Sequence, residues 1–267
     1  MLHLLKLEWL KLKDYFMFRA IMLLYFILLP TTVLIFRIPG DPPEELAIPS
    51  FYIFPHIWES LGYAGNWLTF FLFGFLAILM VSNEFSFKTF RQNIMTGVSR
   101  RDFITSKILM FLVLSAVAAI YYFVIALAFG YYNTDYVKDI SYAFENAEMV
   151  FRFFLMVFAY MSFAFMIVIL VRRSGFALLI YTIYTIIIEL ILRYFVHYKL
   201  FGMNKAFWYY PLNSIEDLVY PSFFNAGNVA KDIELALLSP TEAIVLTLVY
   251  TTIFLLVPYT VIQKRDL

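Results

Sequence analysis

The side chains with the most distinctive chemistry lie between residues 84 and 102, where basic and aromatic residues alternate at helical spacing. One predicted helix face carries Phe87, Phe90 and Ile94, and a second carries Lys88, Arg91, Gln92 and Met95. Residues three and four positions apart share a face of a helix, so this segment predicts a short amphipathic helix. A basic face opposite an apolar face is suited to docking on another surface, not to bond making or breaking.

The end of this helix and the start of the next are also predicted. Gly97 is a natural helix stop, because glycine adopts the left-handed backbone conformation that ends many helices. Ser99 and Asp102 have the spacing of a capping pair and predict the start of the next helix. Two interpretations stay open from the residues alone. The segment is either a helix that enters a groove on a soluble partner, or an ordinary interfacial helix in a positively charged inner loop.

Two other charged pairs stand out. Glu189 and Arg193 lie within an apolar segment, where ionisable groups are costly and often functional. Their i,i+4 order favours an intrahelical ion pair near the outer end of that segment. They are either a self-neutralising structural pair or part of a substrate path. Arg172 and Arg173 form a tight turn between two apolar segments. This turn is either a second docking contact or a simple topology anchor.

Sequence signatures of catalysis are missing. None of the nine glycines is followed by lysine, so the sequence contains no phosphate-binding P-loop. There is no cysteine, and His3, His56 and His197 are too far apart in sequence to suggest a metal site. The net charge of +1 gives no electrostatic argument for nucleic-acid binding. We therefore expect no catalytic residue, no metal ion and no bound cofactor in this chain.

The composition indicates an integral membrane protein. Hydrophobic residues make up 63% of the 267 residues and charged residues 15%, with a mean hydropathy of +0.81. Soluble domains average about 25% charged and 45–50% apolar residues. A membrane-crossing helix needs about 20 mostly apolar residues. Runs of this kind predict an all-α fold in a single transmembrane domain, with six spans at about 18–37, 62–83, 106–132, 150–171, 174–197 and 242–263.

Lysine and arginine set the predicted orientation. If the N-terminus is cytoplasmic, the inner segments hold 13 of the 20 basic residues and the outer segments hold 7, so both termini are expected inside. An amphipathic helix at about 2–16 precedes the first span, with Leu2, Leu5, Trp9, Leu12 and Phe16 at alternating spacings of three and four. It either lies in the membrane interface or simply begins the first span.

Together these features resemble the permease subunits of ABC transporters, in the exporter family with six spans per chain and the type V fold. The resemblance rests on Glu84 ending the second span, Thr89-Phe90-Arg91, Gly97-Val98-Ser99-Arg100, and Lys107 opening the third span. The segments 7–13 and 264–267 are similar to the family's interfacial helix and C-terminal tail.

The resemblance implies a bacterial inner-membrane permease without an ATPase of its own. It would pair with a second permease, either a copy or a relative, and dock on a separate ATPase that binds ATP and magnesium. The docking residues it implies are Glu84, Phe85, Phe87, Lys88, Thr89, Phe90, Arg91, Gln92, Ile94, Met95, Gly97, Ser99, Arg100 and Arg101. Among them Lys88, Arg91 and Arg100 would pair with acidic groups, and Glu84 would hold the helix to its neighbours.

Two rival functions remain from the sequence. One is a membrane scaffold, or a subunit that transmits mechanical force, which binds a cytoplasmic partner and transports nothing. The other is an ion-driven secondary transporter, for which ionisable groups near the middle of the spans are expected. Only the predicted fifth span carries such groups.

Overall fold

The computed structural model describes residues 2–35, 52–87, 89–95, 97–134, 140–220 and 238–264. No strand occurs among these residues, which form mainly helices. In chain order the principal helices are α1 (Leu2–Leu12), α2 (Phe16–Ile35), α3 (Ile57–Ser86), α4 (Thr89–Met95), α5 (Arg100–Asn133), α6 (Met149–Val171), α7 (Ser174–Phe201), α8 (Pro211–Glu216) and α9 (Pro240–Lys264). All except α1, α4 and α8 are long and apolar enough to cross a membrane, which confirms the predicted all-α fold with six spans.

Helix α6 lies at the centre of the bundle. It packs against α3, α5 and α9, and most of its side chains are buried. A helix that is apolar on all sides is expected at such a central position. Buried tyrosines fasten the surrounding helices to one another. Tyr160 of α6 donates to the Asn66 side chain at 2.7 Å, and Tyr25 of α2 donates to the carbonyl of Ala118 at 3.0 Å. Each hydroxyl is thereby satisfied in an apolar interior.

Helix α1 is separate from the first span, because the chain leaves helical geometry at residues 13–15. Glu8 and Leu12 lie on the side of α1 that faces the protein and are buried, whereas Trp9 is exposed. Phe16, placed on the same apolar stripe by the sequence pattern, is the first residue of α2 and is also exposed. Polar contacts of Glu8, described below, set the rotation of α1.

A π-helical turn interrupts α3 at Thr69–Phe73. Such turns change the backbone pairing from i,i+4 to i,i+5 and occur frequently at functional positions. Here Tyr181 of α7 donates to the carbonyl of Phe70 at 3.0 Å and stacks on the Phe70 ring at 4.9 Å between centroids. This contact requires glycine at position 74, directly after the π-helical turn, because a Cβ on Gly74 would lie 2.1 Å from the Tyr181 hydroxyl.

We expect Gly74→Ala to destabilise the protein, although alanine is the better helix former by about 1 kcal/mol. The added methyl group would displace the Tyr181 ring from a packed interior, at a cost of about 1–3 kcal/mol. Thermal unfolding in detergent should therefore begin at a lower temperature. Gly175→Ala is the matched control, because a Cβ there meets nothing within 4 Å. Equal melting temperatures for the two variants would contradict the close contact at Gly74.

Candidate functional site

The candidate site is α4 and the helix ends that surround it. Helix α4 ends at Met95, and Gly97 follows with φ of 100° while its N–H donates to the carbonyl of Ile94 at 3.1 Å. The Ser99 hydroxyl accepts from the backbone N–H of Asp102 at 3.0 Å and caps α5. The predicted stop and the predicted start are both confirmed, since each depends only on local backbone chemistry.

One side of α4 is fixed to the bundle. Phe90 is buried, with its ring centroid 4.7 Å from that of Phe103 on α5 and 5.3 Å from that of Phe85 on α3. Ile94 packs against the same core. Phe87 was predicted on this face but is 74% exposed. That part of the prediction was wrong because α3 ends at Ser86 and the helical register restarts at Thr89.

A buried ionic network lies directly behind α4. Lys107 of α5 is 1% exposed, and its Nζ lies 2.7 Å from Oε1 of Glu84 and 2.6 Å from Oε2 of Glu8. Lys11 adds a second ammonium group, 2.9 Å from Glu84 and 3.3 Å from Glu8. Two carboxylates and two ammonium groups therefore balance in charge. We call these four residues the ionic network, and they join α1, α3 and α5.

The network also reaches α4 and the surface. Thr89, the first residue of α4, donates through its hydroxyl to the backbone carbonyl of Glu84 at 3.3 Å, and this hydroxyl lies 3.5 Å from the Glu84 carboxylate. Partial burial lowers the pKa of Lys11, but the carboxylates of Glu8 and Glu84 outweigh that effect and raise it above its usual value. Lys11 therefore stays cationic at neutral pH while its side chain is 44% exposed.

The remaining predicted docking residues have different surroundings. Arg100 donates to the carbonyls of Ile262 and Gln263 at 3.0 and 2.9 Å, in the last turn of α9, where basic groups satisfy unpaired helix carbonyls. Its guanidinium thus has partners within the chain. Arg101 and Gln92 are exposed, Arg91 lies within α4, and Lys88 lies outside the described residues.

The turn between α6 and α7 lies beside the same site. Arg172 has φ of 57° and ends α6, and its guanidinium carbon lies 5.4 Å from the centroid of the Phe85 ring. Arg173 immediately precedes α7. The structure therefore brings together the two regions that the sequence analysis singled out separately as docking contacts.

At the opposite end of the bundle, Glu189 anchors α8 to α7. Its two carboxylate oxygens accept the backbone N–H groups of Asn213 at 2.8 Å and of Leu212 at 3.0 Å. The Arg193 guanidinium instead lies among aromatic rings, 4.8 Å from the Trp208 centroid. Among the described residues these two side chains form no ion pair within 4.0 Å, contrary to the helical spacing argument.

The physical reason is a change of helical register. Segments Tyr184–Ile188 and Leu192–His197 of α7 are π-helical, so residues four apart no longer stack directly above one another. The contacts of Glu189 and Arg193 favour the structural alternative, since both side chains hold the segment after α7 in place.

Two carboxylates follow in that segment. Asp217 accepts from the backbone N–H of Leu238 at 3.2 Å and from the Asn213 amide at 2.9 Å, and burial raises its pKa to about 7. The pKa of Glu216 is also raised to about 7, first by burial and then by the nearby charges of Glu189 and Asp217. Both groups are easier to bury in the protonated form.

Residues 4–188 match the protein family described as ABC-2 family transporter protein. The chain belongs to the ABC-2 transporter family. The match extends over more than half of the chain, from α1 into α7, and includes α4 and the ionic network. No curated protein matches the chain. The protein is accordingly a multi-pass permease of the inner membrane, and it belongs to a family whose membrane subunits work with a nucleotide-binding ATPase.

We expect Lys107→Met to destabilise the permease by about 3–5 kcal/mol, because it leaves two buried carboxylates with one ammonium group. The additional change Glu8→Gln restores charge balance and should recover part of the loss. Thermal unfolding of the single and double variants in the same detergent measures both effects. A single variant as stable as the parent would contradict the ionic network, and so would a double variant that is less stable than the single one.

The segment after α7 should be more stable in acid than in base. Unfolded carboxylates titrate near pH 4, whereas Glu216 and Asp217 titrate near 7 in the folded permease. The stability linked to their protonation is fully present below about pH 4 and is lost as the pH rises through about 7. Melting temperatures measured from about pH 5 to about pH 8.5 should therefore fall.

Glu216→Gln with Asp217→Asn should flatten this profile, because neither replacement ionises. The asparagine oxygen can still accept the two hydrogen bonds that Asp217 receives. A profile with the same slope in the double variant would assign the pH dependence to other groups.

Proposed function

We propose that this permease is the membrane subunit of an ATP-driven exporter and that a separate ATPase docks on α4. The observation that carries the proposal is a pair of exposed apolar side chains, Phe87 two residues before the start of α4 and Met95 at its last residue. Phe87 is 74% exposed and Met95 is 78% exposed, while Phe90 and Ile94 fasten the helix from behind. Aromatic residues and methionine are enriched at the centres of protein interfaces, where a few anchors dominate the affinity.

The route from α4 into the membrane follows from the ionic network. Closure of the ATPases on ATP would push α4, which contacts Glu84 through Thr89. Glu84 lies near the end of α3 and is bonded to Lys107 near the start of α5. A displacement of α4 would therefore move α3 and α5 together. Glu8 extends the connection to α1. ATP and magnesium would remain on the ATPase, and this chain would supply only the moving pathway.

Charge supports the orientation in this proposal. We infer that α4, both chain termini and the turn at Arg172 and Arg173 face the cytoplasm, because the sequence segments predicted on that side hold 13 of the 20 basic residues. Arg101 is exposed beside α4 and offers a cation to acidic groups of the ATPase. A second permease, either a copy or a relative, would complete the pathway, and the exposed apolar faces of α7 and α9 leave room for it and for lipid.

The test is recovery of an ATPase with the tagged permease from native membranes in mild detergent. Phe87→Ala with Met95→Ala should reduce the recovered ATPase about tenfold or more, since each anchor contributes on the order of 1–2 kcal/mol. Phe201→Ala with Met203→Ala is the matched control. These side chains are 68% and 64% exposed, but they lie at the opposite end of the bundle.

Unchanged recovery of the ATPase with the first double variant would remove α4 as the docking site. A permease that purifies alone, with no nucleotide-hydrolysing partner, would favour a membrane scaffold. Equal losses from both double variants would assign the effect to general instability, and the proposal for α4 would then fail.

A further inference from the structure

The two sides of α1 differ in what they contact. Glu8 and Leu12 point into the bundle and are buried. On the other side, Trp9 is 47% exposed, with Lys6 three residues before it and Lys13 four residues after it. Lys6 and Trp9 are neighbours on the helix surface. Lys13 directly follows the last residue of α1, and its backbone N–H donates to the Trp9 carbonyl at 2.9 Å, so an exposed lysine lies on either side of Trp9 along the chain. Leu7 and Leu10 are exposed beside them.

The exposed surface of α1 carries excess positive charge. The negative charge of Glu8 is already balanced by Lys107 inside the protein. The exposed acid next to the helix is Asp14, which lies 2.8 Å from Arg19 and 3.8 Å from Lys13. One exposed carboxylate therefore faces three exposed cations outside the ionic network, which are Lys6, Lys13 and Arg19. Tryptophan beside lysines, with exposed leucines, is the arrangement that binds the headgroup region of an acidic bilayer.

We propose that the exposed side of α1, with Lys6, Trp9 and Lys13 along one edge and Lys11 along the other, binds acidic phospholipid headgroups, and that Lys11 connects this lipid to the ionic network. We call it the lipid-binding surface. Its charge complements a phosphate, and its leucines and indole complement the boundary of the acyl chains. The proposal does not require an ATPase, because it concerns only the permease and its bilayer.

Lys11 is the residue that both sites share. Its ammonium group lies 2.9 Å from Glu84 and 3.3 Å from Glu8, yet almost half of its side chain is exposed. A headgroup phosphate that attracts Lys11 outward takes one of the two cations away from Glu84. Lys107 alone then holds both carboxylates, and the attachment of α4 to Glu84 through Thr89 loosens. Acidic lipid would thus set how firmly α4 is held.

The absence of cysteine makes a site-specific probe simple. Leu10→Cys places a fluorescent label on the lipid-binding surface, and Tyr132→Cys places the same label at the far end of α5, where the side chain is 80% exposed. Each labelled permease is reconstituted in mixed vesicles of phosphatidylcholine and phosphatidylglycerol. Bromine atoms on one lipid or on the other quench the label when that lipid is nearby.

The label at position 10 should be quenched more by brominated phosphatidylglycerol than by brominated phosphatidylcholine, and the label at position 132 equally by both. Lys6→Gln with Lys13→Gln should abolish the preference, since each lysine changes headgroup affinity about fivefold. High salt should weaken it. Equal quenching at position 10, or a preference that survives loss of both lysines, would overturn the lipid-binding surface.

The role of Lys11 needs a second label, at Met95→Cys on α4. Phosphatidylglycerol should increase the mobility of this label relative to pure phosphatidylcholine, and Lys11→Gln should remove that difference. Lys199→Gln, a lysine at the opposite end of the bundle, is the control and should leave the lipid effect intact. An α4 label that does not respond to acidic lipid, or responds equally without Lys11, would refute the connection.

Discussion

Lys107 places a positive charge inside the protein, and the geometry of one end of the bundle depends on how that charge is satisfied. Removing an ammonium group from water costs several kcal/mol, which is offset only when carboxylates surround it in good geometry. Glu8 and Glu84 meet this requirement from two different helices. Their positions therefore fix the rotation of α1 and the end of α3 against α5.

This constraint explains why α4 is held at a defined place. The chain has only a short stretch between Glu84 and Lys107 in which to leave α3, form α4 and enter α5. Because both ends of the stretch are bonded to each other, α4 cannot drift away from the bundle. The rings of Phe85, Phe90 and Phe103 fill the space behind it. A force on α4 therefore acts on two spans and not on a loose loop.

Local chemistry was predictable from the sequence, and long-range chemistry was not. The number of spans follows from the lengths of the apolar runs, and the end of α4 and the start of α5 follow from Gly97 and Ser99. The membership of Glu8 and Lys11 in the ionic network was missed, because their partners lie 99 and 73 residues away. The available signal was Glu8 itself, a carboxylate four residues before Leu12 and therefore on the same helix face as that apolar residue.

Predictions also failed where helical periodicity does not hold. The face assigned to Phe87 assumed one continuous helix, but α3 ends before it and α4 starts a new register. The spacing of Glu189 and Arg193 assumed an α-helix, whereas π-helical turns lie on both sides of Glu189. Neither break has a glycine or a proline to mark it. Tertiary contacts decide both, and a single sequence does not display them.

Each end of the bundle has a buried glutamate on a spanning helix next to a short helix, which is Glu84 beside α4 and Glu189 beside α8. The two glutamates are bonded by different groups. Glu84 is bonded by lysine ammonium groups on flexible side chains, which can exchange partners without moving the backbone. Glu189 is bonded by backbone N–H groups of α8, so those bonds break only if α8 leaves. The α4 end is thus suited to rearrange, while α8 is suited to move as one body with α7.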